Sequence, residues 1–166
     1  GHVAGGDFAD TTVRNLAVAL WLRLHWQHLL GSTDTELAGV AAKSLKEARY
    51  HVEHARDWTI RLGDGTAESH RRMQAALDRA WPYMGELFAD DAVDEDAQAA
   101  GLGPRRSALR EAWRLEFGAA LEAATLRMPD DSPYVSTGSR CVHSEHMGYI
   151  LAEMQSLQRA YPGGRW

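Results

Sequence analysis

The sequence lacks several features that would place the protein in particular classes. A single cysteine, Cys141, in 166 residues excludes an internal disulfide and is compatible with a reducing compartment. No apolar stretch approaches the roughly 20 residues of a membrane span, and residues 1–10 show no signal-peptide pattern. Basic residues are not clustered, and the net charge is −5. We therefore expect a cytoplasmic protein that binds neither nucleic acid nor membranes.

Hydrophobic residues recur at helical spacing along almost the whole chain, and no alternating strand pattern of useful length occurs. Glycines at 31 and 63 and prolines at 104, 129 and 162 interrupt the helical pattern. The spacing predicts five helices within a single domain of residues 1–166, at about 11–30, 34–62, 66–88, 104–128 and 142–161. The predicted fold class is all-α, a bundle of long antiparallel helices.

Local signals refine the helix boundaries. Thr33 and Glu36 have the T-x-x-E spacing of a capping box at the start of the second helix. Pro82 should kink or restart the third helix, because proline lacks the backbone donor. The acidic segment 89–103 is expected to be a solvated loop with at most a short helical turn. The last helix is expected to bury Met147, Ile150, Leu151, Met154 and Leu157.

The first predicted helix is apolar around nearly its whole circumference. A helix of this kind is buried on several sides or lies in an interface. We therefore expect residues 11–30 to lie at the centre of the bundle or against another chain.

Side chains of the kind that bind metals concentrate in two places. One is the middle of the second helix, with Glu47, Tyr50, His51, Glu53 and His54, and the other is the last helix, with His143, Glu145, His146 and Glu153. A di-iron bundle needs a Glu on each of two helices and a Glu-x-x-His on each of the other two.

The chain departs from that di-iron pattern. Three residues after Glu47 stands Tyr50, and three after Glu145 stands Gly148, so neither pair is Glu-x-x-His. The first helix has no acidic residue between Thr11 and Leu30. A di-iron centre built from this chain alone would therefore lack several ligands.

Two other interpretations of these residues remain open. Glu47, His51, His54 and Trp58 share one helical face and could form a hydrogen-bonded polar seam against a neighbouring helix. Alternatively, the pairs His51/His54 and His143/His146 could each supply half of a zinc site. The second interpretation, or a di-iron site despite the missing ligands, would make the chain an autonomous metal-dependent enzyme.

Several stretches of the sequence are typical of one protein family. Residues 41–51 (AAKSLKEARYH), 56–58 (RDW), 61–66 (RLGDGT), 143–155 (HSEHMGYILAEMQ) and 158–163 (QRAYPG) closely resemble the structural C subunits of the ring 1,2-phenylacetyl-CoA epoxidases. Residues 6–9 (GDFA) resemble a segment inside the chain of those subunits. The resemblance covers essentially all 166 residues, with its motifs in the same order.

The resemblance implies a ferritin-like helical fold and a place in a multicomponent bacterial oxygenase of phenylacetate catabolism. A related A subunit would hold the di-iron centre and the substrate, while this chain would hold no cofactor and no catalytic residue. The complex would use O2, with electrons from NADPH. The implied partner is the A subunit, with self-association as a further possibility. Members of the family carry additional N-terminal helices, so residues 1–166 would be a C-terminal portion.

The resemblance also suggests an origin for the two clusters. Residues 47, 50, 51, 54, 143, 145 and 146 would be remnants of an ancestral metal site whose side chains are now hydrogen-bonded to one another. This interpretation requires the second and last helices to be neighbours, with the two clusters facing each other.

Overall fold

A computed structural model describes residues 6–134, 136–143 and 145–165. Its α-helices, in chain order, are α1 (Phe8–Leu29), α2 (Thr35–Gly63), α3 (Ala67–Met84), α4 (Ala92–Ala99), α5 (Arg110–Ala123), α6 (His146–Met154) and α7 (Ser156–Ala160). Short 3-10 turns occur at Gly85–Phe88, Arg106–Leu109 and Gly138–Arg140. The described residues contain no strand, which confirms the all-α prediction.

Helix α1 is the central element of the bundle. It packs most extensively along α2, to which residues 30–34 join it as an antiparallel hairpin, and it also contacts α3 and α5. Leu16, Leu20 and Leu24 recur every four residues and are all buried. The apolar circumference of α1 therefore reflects burial on several sides within this chain, one of the two outcomes that its sequence predicted.

Aromatic side chains from α3 and α5 fill the core beside α1. The ring centroids of Trp113 and Phe117 are 4.5 Å apart, and those of Trp81 and Phe117 are 6.2 Å apart. The buried indole N–H of Trp113 donates to the carbonyl oxygen of Ala17 at 2.8 Å. This hydrogen bond satisfies the one polar atom of the tryptophan and ties α5 to α1.

The start of α2 differs from the prediction by one residue. The N-cap is Asp34, whose carboxylate accepts from the backbone N–H groups of Glu36 at 2.9 Å and Leu37 at 3.1 Å. The hydroxyl of Thr33 instead donates to the carbonyl oxygen of Ala100 at 3.0 Å. Thr33 is held by the loop after α4, so the neighbouring aspartate caps the helix.

Helix α3 continues through Pro82 and ends two residues later at Met84, followed by a 3-10 turn. Pro82 removes one helical hydrogen bond, but only two residues of α3 follow it, and the helix does not restart there as the sequence suggested. The predicted helix 66–88 is thus an α-helix of 18 residues with a short 3-10 extension.

The acidic segment 89–103 contains more helix than expected. Asp91 caps α4, an eight-residue helix, and Asp94 returns the bond in a capping box. The guanidinium of Arg106 pairs with both carboxylates, at 3.0 Å from Asp91 and 2.6 Å from Asp94. Asp91 and Asp94 are thus paired with the Arg106 guanidinium and lie at the N-terminus of α4. These interactions stabilise helical structure in a segment that was expected to be a solvated loop.

The predicted helix 104–128 is shorter in the structure. A 3-10 turn precedes α5, which ends at Ala123. Thr125 adopts a left-handed φ of 57°, Thr125 N–H donates to the Glu122 carbonyl oxygen at 3.0 Å, and Leu126 N–H donates to that of Leu121 at 2.9 Å. This is a Schellman termination with threonine where glycine is usual.

The predicted last helix, 142–161, is replaced by two short helices, α6 and α7, and Ser144 lies outside the described residues. The hydroxyl of Ser156 donates to the carbonyl oxygen of Glu153 at 2.8 Å and so competes with the helical bonds at the break. Met154 and Leu157, expected in the core, are 69% and 48% exposed. Leu151 is also exposed, and Met147 and Ile150 are half-buried.

Candidate functional site

The predicted ligand cluster on α2 faces outward. Glu47, His51 and His54 are exposed, and so is Tyr50. The Tyr50 ring stacks on that of His54 at 6.1 Å between centroids and meets that of His51 edge-on at 5.8 Å. The opposite face of α2, with Leu45 and four smaller side chains, is the one turned into the bundle. The hydrogen-bonded seam expected for this stripe is therefore not formed here.

The second cluster lies apart from the first. His143 and Glu145 are exposed, while His146, at the start of α6, is half-buried. Within the described ranges, the helix that α6 contacts most is α7, which follows it directly in the chain. Helices α2 and α6 thus do not bring their clusters face to face. The interpretation of both clusters as one ancestral site required that arrangement, and the structure does not show it.

The described residues do not fit a di-iron or zinc centre. In the ranges that the structure covers, no three His, Cys, Asp or Glu side chains lie close enough together to hold a metal ion. Trp58, on the same α2 stripe, instead packs edge-on against Phe8 with centroids 5.3 Å apart, and the Arg61 guanidinium lies 5.9 Å from its ring centroid. The stripe is a solvent-facing surface with local ring contacts.

A cavity of about 520 Å³ lies between α1, α3 and the C-terminal segment. Its apolar wall comes from Ala17, Val18 and Trp21 on α1, from Met84 at the end of α3 and from Leu87 in the 3-10 turn that follows. The C-terminal segment closes one side with Gly138, His143 and Met147. His143 is the one predicted site residue that lines this cavity.

Most charged side chains around the cavity are already paired. Arg79 donates to the carboxylate of Asp10 at 2.7 Å. Partial burial alone would raise the pKa of Asp10, but hydrogen bonds from Arg79 and from the Asp7 backbone outweigh it and hold the pKa below 3.8. The hydroxyl of Ser136 donates to the carboxylate of Glu86. Arg14, by contrast, has no ion-pair or hydrogen-bond partner among the described residues.

A stacked Trp21–His25 pair continues from the cavity along α1, with ring centroids 5.0 Å apart. The indole nitrogen of Trp21 and Nδ1 of His25 are buried with no hydrogen-bond partner in the described part of the chain. Burial lowers the pKa of His25 below 6.5, and it prevails over the opposing charge of Asp94. Burial therefore favours the uncharged form of this imidazole.

This region was not predicted from the sequence. A usable signal was present, because Arg14, Val18, Trp21 and His25 follow one another at i, i+4, i+7 and i+11 on α1. Because apolar residues occur around the whole circumference of α1, the sequence did not distinguish this face from the others. The cavity also needs α3 and the C-terminal segment, whose placement no helical periodicity specifies.

Two comparisons relate the chain to known proteins. The family described as "Phenylacetic acid catabolic protein" matches residues 2–166. A curated protein of Escherichia coli strain K12, named as the C subunit of 1,2-phenylacetyl-CoA epoxidase, is 40% identical over 161 residues. The alignment covers 97% of this chain and 65% of that protein, so the chain spans slightly less than two thirds of the relative's length.

The structure adds one finding about membranes. Among the helices that it describes, none combines the length and the apolar composition that crossing a bilayer requires.

Proposed function

The chain belongs to the phenylacetic acid catabolic protein family, and from this membership we infer that it is a non-catalytic subunit of a bacterial multicomponent oxygenase. The proposed complex epoxidises the aromatic ring of phenylacetyl-CoA in phenylacetate catabolism. The observation that carries the proposal is the 40% identity, over 97% of the chain, to a protein named as the C subunit of that epoxidase. The proposed location is the cytoplasm.

The positions of the acidic and histidine side chains support a non-catalytic role. Oxygen activation at a di-iron centre needs four carboxylates and two histidines converging between helices. Here Glu47 and His51 are exposed on α2, while Glu145 lies in a different part of the chain. In the proposal the di-iron centre belongs to a related A subunit, and NADPH supplies the two electrons that reduce the second oxygen atom to water.

Exposed apolar side chains support the proposed role of stabilising the A subunit. Leu115 on α5 is 75% exposed, and Tyr149 and Met154 on α6 are 71% and 69% exposed. Apolar groups at the surface are stabilised when a partner chain covers them. A hetero-oligomer with the A subunit would cover such side chains, and self-association of the chain is the alternative that size measurements distinguish.

Reconstitution tests the proposal. The purified A subunit is assayed for epoxidation of phenylacetyl-CoA with its reductase and NADPH, alone and after mixing with this chain, and serum albumin serves as the inert protein control. We expect this chain to raise the activity and the thermal stability of the A subunit, and albumin to change neither. The stabilising role is wrong if this chain has no more effect than albumin. Epoxidation by this chain with the reductase alone would instead identify an autonomous enzyme.

A further inference from the structure

We propose that the cavity between α1 and α3 binds a small organic monoanion with an apolar, ring-sized body. The cavity has about 520 Å³ of space, within the roughly 300–1,000 Å³ typical of small-molecule sites. Val18, Trp21 and Met84 line it together with several smaller apolar groups. Water gains few hydrogen bonds against such walls, so an apolar body displaces it favourably.

The charges around the cavity determine the sign of the ligand. Three arginines, at 14, 79 and 106, and two acidic side chains, Asp10 and Glu86, line it, and the Glu86 carboxylate accepts from the hydroxyl of Ser136. Arg79 is neutralised by Asp10 at 2.7 Å, and Arg106 by Asp94 at 2.6 Å and by Asp91 at 3.0 Å. The remaining cation is Arg14, the one lining arginine with no acidic partner among the described residues.

The two carboxylates limit the charge of the ligand. A single carboxylate on the ligand can take a bidentate bond from the Arg14 guanidinium at the edge of the apolar wall. A second negative charge would have to lie near Asp10 or Glu86, where like charges repel. The site therefore favours a monoanion over both the neutral analogue and the dianion.

Calorimetric titration with defined probes tests this site. Naphthalene-2-carboxylate is the monoanion, naphthalene-2-methanol is the neutral analogue and naphthalene-2,6-dicarboxylate is the dianion. We expect the monoanion to bind one per chain and at least about tenfold more tightly than the other two, since a hydrogen bond to a charged group is stronger than one between neutral groups. Arg14→Ala should abolish the preference. Arg49→Ala should leave it unchanged, because Arg49 is exposed on α2 and has no ion pair among the described residues.

Two further measurements locate the bound probe. Of the five methionines, Met84 and Met147 line the cavity, so the probe should shift their methyl NMR signals and leave those of Met73, Met128 and Met154 in place. Val18→Trp should fill the cavity and abolish binding, while circular dichroism confirms that the variant is folded. If Val18→Trp does not fold, the probe preference of Arg14→Ala and the methionine methyl shifts still show whether the probe binds in the cavity.

Three results would overturn the proposal. These are no binding of the monoanion, an equal affinity for the monoanion and the neutral probe in the unmodified chain, and methyl shifts confined to methionines outside the cavity. None of these measurements depends on epoxidase activity, so this inference and the proposed function stand or fall separately.

Discussion

Replacing Gly63 by alanine tests whether the junction between the end of α2 and the end of α5 is as closely packed as the structure indicates. A Cβ at this position would lie 2.3 Å from the carbonyl oxygen of Ala124 and 2.7 Å from its Cβ. Real Cβ contacts essentially never fall below 3.0 Å. The obstructing oxygen belongs to the backbone, so no side-chain rotation relieves the clash.

Hydrogen bonds hold α5 in place at this junction. The Gly63 carbonyl oxygen lies 2.7 Å from Nδ1 of His70 and accepts from the hydroxyl of Thr125 at 3.3 Å. Moving α5 away from the added methyl group would lengthen the Thr125 bond and strain the Schellman turn. Overpacking costs about 1–3 kcal/mol and a weakened hydrogen bond about 1 kcal/mol, offset by up to about 1 kcal/mol from the better helix propensity of alanine.

We therefore expect Gly63→Ala to lower the free energy of unfolding by about 2 kcal/mol, which for a chain of this length lowers Tm by roughly 4–8 °C. Gly39→Ala is the matched control, because it lies in the same helix with no atom within 4 Å of the added Cβ. It should raise the free energy of unfolding by about 0.5–1 kcal/mol. Urea denaturation followed by far-UV circular dichroism measures both. The reasoning is refuted if Gly63→Ala is as stable as the unmodified chain.

Three other substitutions have expected outcomes. Because burial holds the pKa of His25 below 6.5, the unfolded chain takes up the proton first as the pH falls, so stability should decrease below about pH 6.5. His25→Phe should flatten that decrease in urea titrations at several pH values. Arg106→Leu should lower the free energy of unfolding by about 2 kcal/mol, because it leaves the partly buried Asp94 carboxylate unpaired, and should speed proteolysis within residues 89–103. His51→Ala should change the free energy of unfolding by less than about 0.5 kcal/mol, because the ring is exposed.

Each of these has a control or a contradicting result. His51→Phe is the control, because His51 is exposed on α2 and is not among the groups whose charge acts on His25, and an equal effect of both histidine variants would contradict the role of burial. Unchanged proteolysis of Arg106→Leu would show that its ion pairs do not order α4. A loss of more than about 1 kcal/mol for His51→Ala would indicate that the histidine supports packing after all.

Chain-breaking residues and apolar spacing were sufficient to predict the main helices. Gly31 and Gly63 lie at the ends of α1 and α2, and the apolar circumference of α1 correctly indicated burial on several sides. The errors occur where long-range contacts override local preference. The Thr33 hydroxyl donates to the Ala100 carbonyl oxygen and so does not cap α2. Arg106 pairs with Asp94 and stabilises α4 in an acidic segment that was expected to be a solvated loop.

The candidate site was less predictable than the fold. The sequence shows directly that Glu47 and Glu145 have no histidine three residues on, but it could not show that the α2 stripe faces solvent. Its orientation depends on which face of α2 packs on α1, and both faces contain small or apolar residues. The cavity around Arg14 depends on the packing of segments more than 100 residues apart, such as Val18 and Met147.

Iron quantification on separated subunits tests the central claim most directly. The chain is co-purified with the A subunit, the two are separated without chelators, and iron per polypeptide is measured for each. We predict about two irons per A subunit, as in a di-iron centre, and no stoichiometric iron in this chain. A tightly bound iron pair in this chain, lost on substitution of Glu47 or His146, would contradict the account.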